Sequence, residues 1–459
     1  MTAPTRRTLE RVPAVGGRGT VPAPDAIARD YLLLALRLDQ HVPGLVDGYF
    51  GPADLKAQVD MEQLRPPARL RDDAVALRAR LAAEVTEPQR RAWLDVQLVA
   101  LETHAAGQAG EVVPYLAFVE RCLGLAPHRR PDSAFEAAAL AIDALLPGDA
   151  PMADRLAAWD EQFEIPIDRL PPVVDWLVER FRAVAAADFG LPDGERLRVS
   201  LVRDKPWSGY NWYDGGRRSR VDINTDLPIR ANDLIGLIAH EAYPGHHLEH
   251  AWKEADLVDE QGRLESSVML LNAPECLISE GLADLGRRFA SPPAERAELL
   301  LEIYERAALP IAADPAASRA AAAQTLALAD HRDTLGSILG NAAILRYAAG
   351  RSDDEVLAYL REVGRYTPAL AAKRLEFIED PLARTYVFAY ADGEALLRRW
   401  VDAVPEGERT ARFGRLLHEQ LIDGRSTPPM PAVPKLVRRI ANDQVKPDAR
   451  REGSKSIAF

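Results

Sequence analysis

Four of the nine histidines in this chain fall within the eleven residues His240-Glu-Ala-Tyr-Pro-Gly-His-His-Leu-Glu-His250. Imidazoles and carboxylates set this close together suit a borderline-soft cation such as Zn2+, because both offer lone pairs to it. The opening His240-Glu241 follows Leu234-Ile235-Gly236-Leu237-Ile238, an apolar run too continuous for an exposed helix, so the pair belongs to a buried one. In the H-E-x-x-H arrangement, two imidazoles one turn apart hold zinc and the intervening Glu acts on the water that the metal acidifies. Here Pro244 stands where the second histidine would be, and proline cannot ligate.

That departure has a physical reading. Pro244 offers no N–H to the carbonyl of His240 and its ring crowds that carbonyl, so the helix is expected to kink or bulge, with Gly245 taking the unusual dihedrals that result. The bulge would return His246 to the place of the second ligand. An unbroken helix would put His247 on the face of His240, but two turns are ~10 Å of rise, a long span for two ~2.0 Å bonds to one ion. His246 is therefore the favoured second ligand and His247 the second choice. A third ligand is expected in Glu275-Cys-Leu-Ile-Ser-Glu280-Gly-Leu-Ala-Asp284, with Glu280 favoured and Glu275 the alternative. Small Gly281 and Ala283 would admit close approach to the metal helix, and Asp284 would accept the free N–H of a ligating imidazole. On this reading His240, His246 and Glu280 hold one Zn2+ per chain and Glu241 moves protons. His247 either steadies an oxyanion or packs behind the site, and His250, near Lys253 and Glu254, reads as a solvated helix face.

The elements that must position these residues are mostly helical. Apolar residues recur at three- and four-residue spacing over 27–38, 74–81, 92–103, 173–187, 294–308, 317–329, 355–363, 389–401 and 413–421. One stretch breaks the pattern. Residues 196–202 alternate at period two, and Tyr210-Asn-Trp-Tyr213 precedes Asp214-Gly-Gly216 and Arg220-Val-Asp-Ile-Asn224, a hairpin signal. Asn232 can cap a metal helix over 232–253. The expected fold is thus mainly α, a large zincin-like helical body with a small β-hairpin or sheet (196–224) beside the metal helix and a deep cleft. Its parts are a tail over 1–24, a helical region over 25–190, a catalytic region over 191–440 and a tail over 441–459. The group 41–52, containing Asp47, Tyr49 and Gly51, reads as a structural turn.

The H-E-x-x-P-G-H-H segment, followed by Glu280-Gly281, resembles the bacterial family filed as domain of unknown function 885, grouped with the gluzincin metallopeptidases. Gly245-His246-x-Leu248 is also similar to part of the motif of the thimet-oligopeptidase and thermostable-carboxypeptidase families, which implies that His246 is the second ligand. The resemblance implies a helical body with a deep substrate channel. Asp380-Pro-Leu-Ala-Arg-Thr-Tyr386 is similar to the family's Pro-Gly-Gln-Ala-x-x-Tyr stretch, and by that match Tyr386 faces the site and steadies the oxyanion. Leu382-Ala383 stand in place of Gly-Gln, and no histidine between Asn341 and Gly350 supplies the family's Asp-x-Gly-x-His segment. The likeness covers roughly residues 210–424.

Composition narrows the partners. With 57 basic and 69 acidic residues the net charge is −12, which disfavours a nucleic-acid backbone as partner. No apolar run approaches the ~18 residues of a membrane span, and no apolar stretch precedes Pro22, so a cytoplasmic protein is expected. Cys122 and Cys276 fit a reducing compartment and lack the C-x-x-C spacing of a redox pair. Two function classes follow. The first is a zinc-dependent hydrolase cleaving short peptides, since a buried metal helix puts the ion at the bottom of a cleft closed to folded proteins. The second is a catalytically inactive protein that binds a metal or ligand. Retention of Glu241, which a structural metal site does not need, favours the first.

Overall fold

In the computed structural model, residues 25–421 are described apart from Pro147 and Pro206. The expected tails at 1–24 and 441–459 lie outside them, as does the end of the C-terminal region beyond residue 421. Each apolar periodicity becomes a helix, among them Ala26–Asp39, Pro67–Glu84, Pro88–Gln108, Leu170–Asp188, Pro315–Gly336 and Ala389–Asp402. The fold is mainly α with two small sheets. No helix among the described residues is long and apolar enough to cross a membrane.

The three-stranded sheet holds β2 (Arg196–Val202), β3 (Gly209–Tyr213) and β4 (Arg218–Asn224) in the order β2-β4-β3. Strands β3 and β4 form the expected antiparallel hairpin, closed through Gly215 and Gly216, whose positive φ values of 73° and 66° suit glycine. β2 adds to β4 in parallel, so β3 is left as an edge. From β4, Val221 and Ile223 are buried in one core with Leu234, Ile235 and Ile238 of the helix Ala231–Glu241 and with Ile278, Leu282 and Leu285 of the helix Pro274–Ala290. Sheet and both site-bearing helices therefore share a single apolar packing unit.

The second sheet was not legible in the sequence. β1 (Val46–Tyr49) pairs antiparallel with β5 (Val268–Leu270), tying the N-terminal helices to the site-bearing half. The core there mixes Tyr31, Leu32, Leu94 and Leu98 with Val258, Leu264, Val268 and Leu270, so the first helices fold directly onto residues that follow the histidine cluster.

The expected metal helix over 232–253 is corrected to two helices, Ala231–Glu241 and His246–Lys253, the second running on into a π-helical turn at Glu254–Glu260. Asn232 does not cap the first helix. Arg230 holds that position, and the Asn232 side chain accepts a hydrogen bond from Tyr304 Oη at 2.7 Å. The break follows from Pro244, which cannot continue the ladder, and the Tyr243–Pro244 peptide is cis. Gly245 takes an irregular backbone conformation, φ −80° and ψ −143°, as expected. It also supplies room: a Cβ there would lie 1.9 Å from the carbonyl oxygen of His240 and 2.4 Å from that of Ala239.

Gly281 also plays a part other than the expected one. It admits the helix Ala389–Asp402, a Cβ at 281 falling 2.4 Å from the backbone of Gly393. It is Gly286 that faces the break, where a Cβ would meet Pro244 at 3.3 Å.

Because only backbone atoms oppose it, Gly245→Ala cannot be relieved by a rotamer change. It is expected to lower stability by about 2–4 kcal/mol, measured as a shift in denaturant midpoint, and to weaken metal binding by displacing His246.

Candidate metal centre

The broken helix brings His240 Nε2 and His246 Nε2 to 3.1 Å, with the rings at 89° to one another. Glu280 completes a triangle, its Oε2 3.4 Å from His240 Nε2 and its Oε1 3.5 Å from His246 Nε2. These are the three sequence-derived ligands, and their donor atoms all lie within 4.8 Å of one another.

The far side of each ring is occupied. His240 Nδ1 sits 2.9 Å from Asp284 Oδ1, as expected for a carboxylate fixing a ligating imidazole. His246 Nδ1 sits 3.2 Å from Ser279 Oγ and 3.7 Å from Glu249 Oε2. With Nδ1–H donated outward, the two Nε2 lone pairs point at each other, and they repel unless a cation, or a proton in its place, lies between them. Glu280 Oε2 is buried without a hydrogen-bond partner. Two imidazole nitrogens and one carboxylate with an orphaned oxygen could hold a metal ion and leave a coordination position open.

The electrostatics agree. Burial disfavours charge on His240, yet the hydrogen bond to Asp284 and the nearby Glu280 carboxylate hold the ring well above the ordinary imidazole range. Burial likewise opposes charge on His246, and the Glu280 carboxylate overrides it, lifting the ring to about 10. Burial alone would raise Glu280, but the two histidines hold its carboxyl well below the usual range. A metal entering this triangle displaces protons from the rings.

Glu241, one residue after His240, is buried and lines the cleft, and burial pushes its carboxyl up. Its backbone carbonyl accepts from Asn211 Nδ2 of β3 at 2.6 Å. Gly209 of β3 comes so near that a Cβ there would lie 3.3 Å from Glu241 Oε1 and 2.7 Å from Leu237. Tyr386 is brought to the cluster, its Oη donating to Glu280 Oε1 at 2.7 Å. Burial, with the Glu280 charge, keeps this phenol protonated.

Other expectations are not met. His247 is fully buried away from the cleft, Nε2 2.9 Å from Glu195 Oε1 and Nδ1 2.8 Å from Ser219 Oγ. It is neither an oxyanion contact nor a ligand here, because a helix that restarts at 246 turns successive side chains about 100° apart. Glu275, the alternative third ligand, bonds Lys253 and Trp93 Nε1. His250 is not a solvated face: it stacks on His246 at 5.8 Å and 5° and abuts Tyr213, and burial lowers it to about 3.

Several site neighbours were missed. Glu249 faces His246 at the i, i+3 spacing of a helix, a signal the sequence did contain. Lys253 at 2.7 Å and Ser279 at 2.6 Å hold it, so it braces His246 from behind. Tyr390 donates to Tyr386 Oη at 3.2 Å, and its ring lies 6.1 Å from that of His240. Asp47, read as part of a turn, lines the cleft and bonds Tyr210 Oη. Enclosure, with the charges of Glu280 and Glu241, lifts its carboxyl to about 6.

All of this opens into one cavity of about 1310 Å³. No protein-family model, curated protein or solved structure matches the chain.

Asp284→Asn removes the charge that orients His240 and is expected to weaken Zn2+ affinity by about 10–100-fold, read by competition with a chromogenic chelator. In the unsubstituted protein, affinity should fall as pH is lowered from 8 to 6, because the protonated rings compete with the metal. Calorimetry in buffers of different ionisation enthalpy should then report proton release on binding.

Proposed function

We propose that this chain is a zinc-dependent hydrolase that cleaves peptide bonds in short peptides, with one Zn2+ held by His240, His246 and Glu280. The observation that carries this reading is the placement of the Glu241 carboxyl, kept basic by burial, beside three convergent donors on a cleft floor walled by an edge strand. A metal used only for structure needs closed coordination and no neighbouring base.

When bound, zinc supplies Lewis acidity toward a water and toward the scissile carbonyl. The chain's own residues do the rest. Glu241 accepts a proton from the attacking water and returns it to the leaving amine as the C–N bond breaks. Tyr386, protonated and fixed by Tyr390, donates toward the oxygen that gains charge at the carbonyl, while Asp284 and Glu249 hold the two imidazoles in orientation.

The edge of β3 supports a peptide substrate. Asp214 N bonds Arg218 O at 2.9 Å and Asn224 N bonds Ser208 O at 2.8 Å, so even-numbered residues of the hairpin pair across to β4. Gly209 and Asn211 therefore turn their N–H and C=O groups the other way, along the edge that lines the cavity. An extended peptide can bond to them through its main chain, with little demand on its sequence. A cavity of this size admits a few extended residues and excludes a folded domain. A cytoplasmic setting accords with Cys122 and Cys276, both buried free thiols.

Purified protein should hold one zinc per chain, and His240→Ala or Glu280→Ala should abolish it, measured by elemental analysis. Glu241→Gln should keep the metal yet lose about three orders of magnitude or more in kcat on a short peptide. Zinc retention in both ligand variants would overturn the site, and an active Glu241→Gln enzyme would overturn the base. Tyr386→Phe is expected to keep the metal and lower kcat by about 10–100-fold with KM little changed, separating a role at the reacting carbonyl from one in binding.

A further inference from the structure

Asp47 reaches the cleft by a local irregularity of its strand. In the β1–β5 ladder, Val46 opposes Leu270 and Gly48 opposes Met269, so Asp47 is the extra residue of a bulge. A bulge frees one side chain from the alternation of the strand and re-aims it, a device common beside active sites. The side chain remains exposed to the cavity and bonds Tyr210 Oη from β3, the strand whose edge forms the cleft wall.

Its electrostatic setting is incomplete. Among the described residues no Lys or Arg forms an ion pair with Asp47, although forty such pairs or His–carboxylate contacts occur elsewhere in the chain. Of the charged groups that weigh on it, Glu280 and Glu241 are negative as well, and the one opposing charge, on His246, belongs to the candidate metal cluster. Beside it the rings of Trp207, Tyr210 and Trp212 follow one another, tilted by about 40° with centroids 5.6 and 4.4 Å apart, and all three line the cavity. A carboxylate in no ion pair with Lys or Arg, bonded to the hydroxyl of a Tyr that leads into an aromatic wall, is the chemistry that receives an ammonium or guanidinium group.

We propose that Asp47, with Tyr210 and the adjoining aromatic wall, is the specificity-determining contact for a positively charged group on the peptide substrate. This deepens the peptidase reading and rests on it. The cation has two sources in a peptide, its α-ammonium group and a lysine or arginine side chain, and each fits the same carboxylate.

The test uses zinc-loaded Glu241→Gln protein, so that binding is read without turnover, with Asp47 either intact or changed to Asn. Calorimetry compares tetra-alanine amide with a free amino terminus, its N-acetyl form, and N-acetyl peptides carrying lysine or norleucine at each position. With Asp47 intact, a cationic peptide should bind about tenfold or more tightly than its neutral counterpart. With Asn at 47 that preference should collapse to within about twofold, while zinc content and affinity for the neutral peptide stay the same. A preference lost on acetylation assigns the α-ammonium group. One that persists for lysine over norleucine in acetylated peptides assigns the side chain. Equal binding of cationic and neutral peptides, loss of affinity for both alike in Asp47→Asn, or no binding by any peptide overturns the inference. The unsubstituted enzyme separates this failure from that of the function. If it cleaves peptides with no Asp47-dependent preference, only the Asp47 assignment falls. If an Asp47-dependent preference for cationic peptides exists without cleavage of any, only the hydrolase falls.

Discussion

With no Cβ at Gly245, the chain folds back against the carbonyl oxygens of Ala239 and His240 before it resumes as a second helix. That contact sets the separation of His240 and His246. A continuous helix turns residues six apart about 120° away from one another, whereas the break turns the second imidazole round until its Nε2 faces the first. Gly286 leaves space for Pro244 in the same place, and Glu280 and Asp284 lie on that same helix. One close backbone approach therefore fixes both imidazoles relative to the helix that supplies the carboxylates.

Behind the cluster, charge is buried at some cost and is offset by pairing. From His246 a chain of polar contacts runs through Ser279 and Glu249 to Lys253, and on to Glu275 and Trp93. Trp93 belongs to the helix Pro88–Gln108, far upstream in sequence. His247, Glu195, Tyr243 and Arg182 form a second network on the other face of the same short helix. Leaving any one of these ions without its partner would expose the others to the full desolvation penalty. The N-terminal helices are thus part of the support of the histidines, even though none of the three convergent donors comes from them.

Local signals in the sequence carried much of this. Periodicity gave the helices, the Asp-Gly turn gave β3 and β4, and lone-pair chemistry at fixed spacing gave His240, His246, Glu280 and Asp284 their places. The likeness to a motif turned Tyr386 toward the site, where it meets Glu280. What escaped was non-local. The β1–β5 pairing joins short strands more than two hundred residues apart, and the bulge that frees Asp47 is visible only once they pair. His250 was misread, and His247 left open between an oxyanion contact and packing behind the site, because charged neighbours in sequence, or one residue of register, do not say which way a restarted helix points. Gly281 was given the wrong partner for a similar reason, its real neighbour Gly393 lying on a distant helix.

The edge of β3 has one more consequence. An open strand edge is a template for pairing with any other chain, and proteins usually blunt such edges with charge, proline or a covering loop. Here the backbone groups of Gly209 and Asn211 face into a cleft between the two site-bearing helices and β1. The edge of another folded sheet cannot reach down to them, though a loose strand of a few residues can. That enclosure therefore guards the protein against aggregation through its own sheet.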